Sequence, residues 1–414
     1  MKALHLPVKA LILAAVKEHG FQEFLNPSVT RFASYNGWIR DTFRSRAIED
    51  QKLVFIFVDA FGWMFFERFR RGSSLLQRFE REGTAELAHS QFPSTTACHV
   101  TTAHFGLPVA ETGIFEWNYF EPLADAVISP LLFSVAGDRE RETLSLRGLT
   151  GREVFPFPSF YETLRGDGIP SFVFQFSGYS DSSFSREATR GATTVAHENE
   201  RQALENLAGA VKRHRGPGYF FLYLDSLDST AHHFGPNSEE ANAAGRAVLQ
   251  NIEELLVRPL SGVGGIKLLI SADHGQSEVS AARTLYLDKE LPECLQWFKT
   301  SSMGLPLVAG GSMRDFFLYV KPESHAAAME TLSNRLGAIA HVRDTASMIG
   351  EGYFGAPGSI TPRFRERMAD IVILPFPGEA VWWSGNGIFE KDFKGMHGGL
   401  SREEFQITRL VIDL

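Results

Sequence analysis

Six short runs along the chain are apolar at nearly every position: Leu53–Val58, Ser171–Phe176, Tyr219–Leu224, Ile266–Ser271, Phe316–Val320 and Ile371–Leu374. A strand with one face in water alternates apolar and polar side chains. Unbroken runs therefore fit strands covered on both faces, as in a parallel sheet between helices. Longer segments between the runs, such as Glu200–Arg213 and Glu239–Val257, have helical character. Strand and helix in alternation predict an α/β fold with a mainly parallel central sheet flanked by helices. Residues 1–50 precede the first strong strand and read as a helical lead-in, with the apolar stretch Ala10–Val16 bracketed by Lys9 and Lys17. Residues 277–365 mix Gly, Pro and short elements and read as a small cap or insertion. That leaves 51–276 and 366–414 as the core. There is no internal repeat and no low-complexity tract.

Composition narrows the class without naming it. The 414 residues are 44% hydrophobic and 22% charged, an ordinary globular balance. Phenylalanine is abundant, with 35 residues, which points to a Phe-rich core. The 41 Lys and Arg against 49 Asp and Glu leave a net charge of −8. That argues against a nucleic-acid polymer or an anionic membrane as partner. A small phosphorylated substrate stays open, because bound cations can reverse the field locally. The two cysteines, Cys98 and Cys294, make neither a disulfide framework nor a cysteine-based zinc site. No run approaches the ~20 apolar residues of a membrane span, and no A-x-A-like site follows Ala10–Val16. These features predict a cytoplasmic protein.

In an open parallel sheet, ligands bind beyond the carboxyl ends of the strands. Asp59 follows the run Leu53–Val58. Asp225 follows Tyr219–Leu224, with Asp228 and His232 shortly after. Asp273 and His274 follow Ile266–Ser271. An aspartate after a strand is ordinarily a turn former or a helix cap, and a lone histidine is ordinarily structural. Three strand ends carrying carboxylates, two of them with imidazoles, suit a divalent metal held without cysteine. Asp228 and His232 are four residues apart, so one helical turn puts both on one face.

Two further segments join these. Phe92-Pro93-Ser94-Thr95-Thr96 lies between a strand-like stretch, Ala85–Phe92, and a helix-compatible one. Its hydroxyls therefore fall at a helix N-terminus, where free N–H groups favour an anion. Simple capping would use the same residues. Beside metal ligands, a threonine can instead be a nucleophile, because its hydroxyl needs a cation to activate it at neutral pH. Near the C-terminus, Gly395-Met396-His397-Gly398-Gly399-Leu400-Ser401 sets a histidine among glycines, as in a loop whose backbone approaches another group closely.

Together these residues resemble the type I phosphodiesterase/nucleotide pyrophosphatase family of the alkaline phosphatase superfamily. The matching pieces are VFIFVDAFG, FPSTTA with GLPVAETGI, YLDSLDSTAHHFGP, SADHG and GMHGGLS, spread over about residues 53 to 401. The resemblance implies an alkaline-phosphatase-like fold, a two-metal centre and a threonine nucleophile. Asp228, His232 and His397 would hold one metal; Asp59, Asp273 and His274 would hold the other, with Thr96 toward it. Thr96 rather than Thr95 matches the P-[S/T]-x-T pattern. The metals would be zinc, with manganese the alternative. Asp225 falls where the family often has an acidic residue that is not a ligand. Two places depart from the family: Cys98-His99-Val100 where Pro-Asn-His is common, and Trp117 where an asparagine often contacts a phosphoryl oxygen. Asn118, one step on, could take that contact.

The implied reaction is hydrolysis of a phosphodiester or phosphoanhydride through a phosphothreonine. No arginine lies between Arg81 and Arg139, which favours a diester monoanion over a monoester dianion; Arg314 is a candidate cation from elsewhere. Phe61, Trp63, Trp117, Tyr119 and Tyr179 are candidate substrate contacts, with core packing the competing use. The alternatives are a phosphonate hydrolase of the phosphonoacetate type, and a non-catalytic binding protein that keeps the fold. A sulfatase would need Cys98 in a C-x-P-x-R setting, and a serine-dependent mutase a differently placed metal set. No phosphate-cradling GxxxxGK[ST] or GxGxxG follows a strand.

Overall fold

The computed structural model of the protein describes residues 22–45 and 51–414. The stretch Ala10–Val16 lies outside them. The described part of the lead-in carries the helix Tyr35–Arg44, which buries Tyr35 and Ile39.

Seven strands build the central sheet: β1 (Lys52–Val58), β2 (Thr84–His89), β3 (Ser171–Phe176), β4 (Thr193–His197), β5 (Gly218–Leu224), β6 (Ile266–Ser271) and β7 (Gln406–Asp413). Their order is β2-β7-β6-β1-β5-β3-β4. From β6 across to β4 every pairing is parallel, and β7 runs against both of its neighbours. Every residue of β1 is buried, and so is every residue of β5 except Tyr223. The central strands are thus covered on both faces, which is why their sequences lack alternation. Phenylalanines fill much of the core, among them Phe55, Phe57 and Phe221, whose rings pack against one another.

Two of the six apolar runs belong elsewhere. Phe316–Val320 and Ile371–Leu374 supply strands to a second, four-stranded sheet in which every pairing is antiparallel. Its strands are Gly310–Gly311, Phe316–Leu318, Ile371–Pro375 and Ala340–Asp344, in that order. The physical reason is visible in its packing. Phe316, Leu318, Ile371 and Ile373 join a second apolar cluster with Ala328 and Leu332 of the helix His325–Leu336. Phe317, Tyr319, Val372 and Leu374 join the main core. Both faces are covered, so the runs look like parallel-sheet strands. Apolarity reports coverage and carries no information on strand direction. Among the described residues, no helix is long and apolar enough to cross a membrane.

A buried ion pair fastens this second sheet to the carboxyl edge of the first. Arg314 and Glu404 are both fully buried, with Nε to Oε1 at 3.0 Å and Nη2 to Oε2 at 2.9 Å. The remaining guanidinium nitrogen donates to the carbonyls of Phe376 and Glu379. Glu404 also accepts from the backbone N–H groups of Gly399 and Ser401. Removing one member strands the other charge in the core, which costs about 3–5 kcal/mol. Glu404→Gln should therefore lower the thermal midpoint by on the order of 5 °C in differential scanning fluorimetry. An unchanged midpoint would show that the pair does not fasten the two sheets.

Candidate active site

The strands β6, β1 and β5 are neighbours, and their register sets Val58 beside Leu224 and Phe57 beside Ser271. Their carboxyl ends are therefore level. Asp59 follows β1, and Asp273 and His274 follow β6. Asp225 opens helix α2 (Ser226–Phe234), which carries Asp228 and His232 one turn apart. The turns after β1 and β6 touch. A Cβ on Gly62 would lie 2.7 Å from the Gly275 Cα, and one on Gly275 would lie 2.2 Å from the Glu403 carbonyl oxygen. Only glycine permits that approach.

Thr96 is the first residue of helix α1 (Thr96–Phe105), so its hydroxyl sits at the helix N-terminus. The loop before it is pinned to the loop that carries His397. Ser94 N–H donates to the Gly398 carbonyl at 3.2 Å, and the Ser94 hydroxyl donates to the Gly399 carbonyl at 2.7 Å. Gly398 has φ +122°, and a Cβ there would meet Asp315 Oδ1 at 2.4 Å. Both observations require glycine after the histidine.

The side chains converge. Thr96 Oγ1 lies 3.1 Å from His274 Nε2 and 3.4 Å from Asp59 Oδ2. His274 Nε2 lies 3.4 Å from both Asp59 Oδ1 and Asp273 Oδ2. His232 Nε2 is 3.2 Å from Asp228 Oδ2, and His397 Nε2 is 4.0 Å from Asp228 Oδ1. The rings of His274 and His397 stack with centroids 3.5 Å apart. Two groups of buried donors result: Asp59, Asp273 and His274, and Asp228, His274 and His397. His274 belongs to both, and His232 reaches the second through Asp228.

Each histidine is oriented from behind. The Nδ1 of His232, His397 and His274 faces the carbonyl of Gly395, Ser94 and Gly275, at 2.7, 3.1 and 2.9 Å. A carbonyl only accepts, so Nδ1 carries the proton and the Nε2 lone pair is left for the site. This is the usual arrangement behind a metal-ligating imidazole. Burial, with help from neighbouring imidazoles, holds His274 and His397 well below the ordinary histidine range, so both are neutral at pH 7. Burial, reinforced by Asp228, pushes Asp273 up to about 7. Burial and the charges of Asp228 and Asp273 also raise Asp59. Among the described residues, no Lys or Arg pairs with Asp59, Asp228 or Asp273. Asp59 Oδ1 and Asp273 Oδ2 are buried without a hydrogen-bond donor. His232 is the exception among the imidazoles: its contact with Asp228 raises it and holds Asp228 below the usual carboxylate range. Three crowded carboxylates, the two neutral imidazoles of His274 and His397 and two orphaned oxygens fit a divalent cation.

Among curated proteins none matches the sequence significantly. The profile of the type I phosphodiesterase/nucleotide pyrophosphatase family matches residues 53–400. The chain belongs to that family. Its fold is shared with murine ectonucleotide pyrophosphatase/phosphodiesterase 5, solved as an inactive variant in complex with AMP. The identity is 15%, with 87% of each chain covered and a TM-score of 0.61. The human counterpart is 14% identical over 87% of each chain, with a TM-score of 0.61. Phosphonoacetate hydrolase from Sinorhizobium meliloti, in complex with phosphonoacetate, is 16% identical over 88% of this chain and 90% of its own, with a TM-score of 0.59. The α/β fold with its large, mostly parallel sheet is thus that of the phosphodiesterase family, whose members and neighbours hydrolyse phosphoester or phosphonate bonds.

Against this family background the candidate substrate contacts divide. A cavity of about 190 Å³ opens beside Thr96 and is lined by Trp117, Tyr179, Tyr223 and Asp225, among others. Trp117 is 39% exposed there. Phe61 is not on the cavity: it is 1% exposed and packs in the core, as the abundance of phenylalanine favours. Tyr119 is fully buried, and Trp63 stacks on Phe66. Asn118 is buried off the cavity wall, and its Oδ1 accepts from the Ser129 hydroxyl at 2.6 Å. Arg314 is locked to Glu404 and is no cation for the cavity. Arg141 lines the cavity, two residues beyond the arginine-free interval.

Sequence reasoning passed over Tyr223, whose hydroxyl donates to Asp59 Oδ2. It also passed over Gln276, whose amide donates to Asp228 Oδ1. Gln276 stands two residues after His274 and could have been found by extending the DHG motif. Purified protein should bind zinc or manganese. His274→Ala removes the donor shared by both groups, so it should lower bound metal more than His232→Ala, read by plasma mass spectrometry after dialysis. Full metal retention in His274→Ala would place the ions elsewhere.

Proposed function

We propose that the protein is a metal-dependent phosphodiesterase or nucleotide pyrophosphatase with Thr96 as nucleophile. The observation that carries this reading is the Thr96 hydroxyl, at a helix N-terminus, 3.1 Å from His274 and 3.4 Å from Asp59, beside both groups of buried donors. Asp59, Asp273 and His274 would hold one divalent ion, and Asp228, His232 and His397 a second, zinc first and manganese as the alternative. When bound, such ions neutralise the carboxylates, lower the pKa of the threonine hydroxyl and polarise the phosphoryl oxygens.

The chain's own residues supply the rest. Thr96 Oγ1 attacks phosphorus and the ester oxygen opposite it leaves, which gives a phosphothreonine. Water then cleaves that bond and restores the hydroxyl. The free N–H groups at the start of α1 face the phosphoryl oxygens. Tyr223 holds Asp59 in place through its hydrogen bond to Oδ2. The ring carbonyl partners keep the three imidazoles aimed. Both cysteines are free and buried, in keeping with a reducing, cytoplasmic setting.

Arg141 on the cavity wall makes no ion pair among the described residues, which favours a second reading. A phosphonate hydrolase would use such a cation for the carboxylate of its substrate. Arg141 also removes the want of arginine as a reason to prefer diesters, so that preference rests on the family.

The test compares bis-p-nitrophenyl phosphate, p-nitrophenyl phosphate and phosphonoacetate, with added zinc or manganese. The diester should be turned over fastest. Thr96→Ala should lose roughly a thousandfold or more in kcat while its metal content and melting temperature hold. Faster release from the monoester or from phosphonoacetate would replace the diesterase reading. Activity that survives in Thr96→Ala would remove Thr96 as nucleophile.

A further inference from the structure

The first N–H groups of a helix have no partner within it and are usually taken by the side chain of the capping residue. Thr95 caps α1 in extended backbone, and its side chain accepts none of them. The Thr95–Thr96 peptide is held from below instead, by His99 one turn on. His99 is fully buried and lies off the cavity beside Thr96. Its Nδ1 is 2.7 Å from the Thr95 carbonyl oxygen, against 3.4 Å for the helical bond from the His99 N–H to the same oxygen. On the far side of the ring, the Gln91 N–H donates to Nε2 at 2.7 Å. A donor at one nitrogen and an acceptor at the other permit one neutral tautomer, with the proton on Nδ1. Burial lowers His99 to about 4, so the ring stays neutral at pH 7. The Cys98 thiol, 3.2 Å from Nδ1, donates to the Pro93 carbonyl at 3.1 Å and leaves the ring to Thr95. Gln91 is itself fixed: its amide donates to the Thr102 hydroxyl at 2.9 Å and accepts from the Val109 N–H at 3.0 Å.

We propose that His99 is a positioning residue that aims the Thr96 N–H at the phosphoryl group by holding the Thr95 carbonyl. The inference rests on the reading of Thr96 as nucleophile. In a trans peptide the C=O and the N–H point in opposite directions, and the Thr95–Thr96 bond is trans. Drawing the Thr95 carbonyl down along α1 therefore turns the Thr96 N–H out of the helix N-terminus, on the side where Oγ1 meets phosphorus. That N–H donates to no acceptor among the described residues. It is free to hold an equatorial oxygen that gains charge as the bond to Oγ1 forms. With only the 3.4 Å helical bond on its carbonyl, the peptide plane could tilt and spoil that alignment. His99 itself touches neither phosphorus nor a candidate metal donor; it acts through one backbone peptide.

Two amide substitutions separate the two bonds of the ring. In His99→Asn the amide nitrogen stands where Nδ1 did, so the donor to Thr95 is kept and the acceptor for Gln91 is lost. In His99→Gln the longer amide reaches the place of Nε2, so the acceptor for Gln91 is kept and the donor to Thr95 is lost. The full chain, loaded with zinc, is assayed on bis-p-nitrophenyl phosphate, with melting temperature and bound metal measured alongside. Both variants should melt earlier than wild type. Only His99→Gln should lose about tenfold or more in kcat, with KM and metal content held. His99→Asn should keep kcat within about threefold. Binding gives a readout without turnover: His99→Gln should weaken orthovanadate, a mimic of five-coordinate phosphorus, by about tenfold and leave inorganic phosphate unchanged. In the wild-type chain, which needs no folded variant, the Thr96 amide proton should move downfield in the NMR spectrum when vanadate binds. An unmoved Thr96 amide, or kcat losses that follow melting temperature equally in both variants, overturns the inference. If Thr96→Ala is inactive in the same assay, the nucleophile reading survives that result; activity retained in Thr96→Ala overturns both.

Discussion

Everything near the candidate site answers to one electrostatic constraint. Asp59, Asp228 and Asp273 are gathered behind three neighbouring strand ends, out of water and without a lysine or arginine partner. Buried carboxylates in that state oppose folding unless something positive joins them. The imidazoles nearest Asp59 and Asp273 do not supply the charge, because burial keeps His274 and His397 neutral; only His232, raised by Asp228, leans toward its charged form. A divalent cation resolves the conflict, and the same cation makes a threonine hydroxyl useful. The instability of the empty cluster and the chemistry of the filled one have a common origin.

The fold carries this constraint by stiffness rather than by local attraction. Parallel pairing of β6, β1 and β5 fixes where the acidic turns emerge. Glycines at 62 and 275 let those turns touch, and glycine at 398 lets the histidine loop close over Asp315. The Ser94 bridge couples that loop to the one that leads into Thr96. Arg314 and Glu404 then fasten the second sheet behind it. Displacing any one of these backbones would move a donor by more than a metal site tolerates.

How much of this was legible follows from what each residue owes to its neighbours in sequence. Asp59, Asp273 and His274 stand directly behind unbroken apolar runs, so the strands announce them. Asp228 and His232 carry their own helical spacing. Tyr223 and Gln175 lie inside strand runs, where a single polar group among phenylalanines has no pattern to mark it. Arg141 sits in a loop, and only the folded chain brings it to Thr96. Phe61 misled for the opposite reason: proximity to Asp59 in sequence looked like proximity to substrate, while its ring turns into the core. The runs at Phe316 and Ile371 misled because a sheet between two apolar clusters is covered on both faces whatever its strand direction.

The division of labour within the site follows from these same positions. The candidate metal donors sit on turns and on one helix face, where backbone geometry sets them. Part of the cavity wall is drawn from elements that hold no candidate donor, β3 for Gln175 and loops for Trp117, Tyr179 and Arg141, while Tyr223 and Asp225 border the carboxylate cluster. Changes at Gln175, Trp117, Tyr179 or Arg141 leave the carboxylate cluster untouched. A fold that separates the two lets one chemistry at phosphorus serve many leaving groups. Solved structures at about 15% identity accordingly share the fold of this chain.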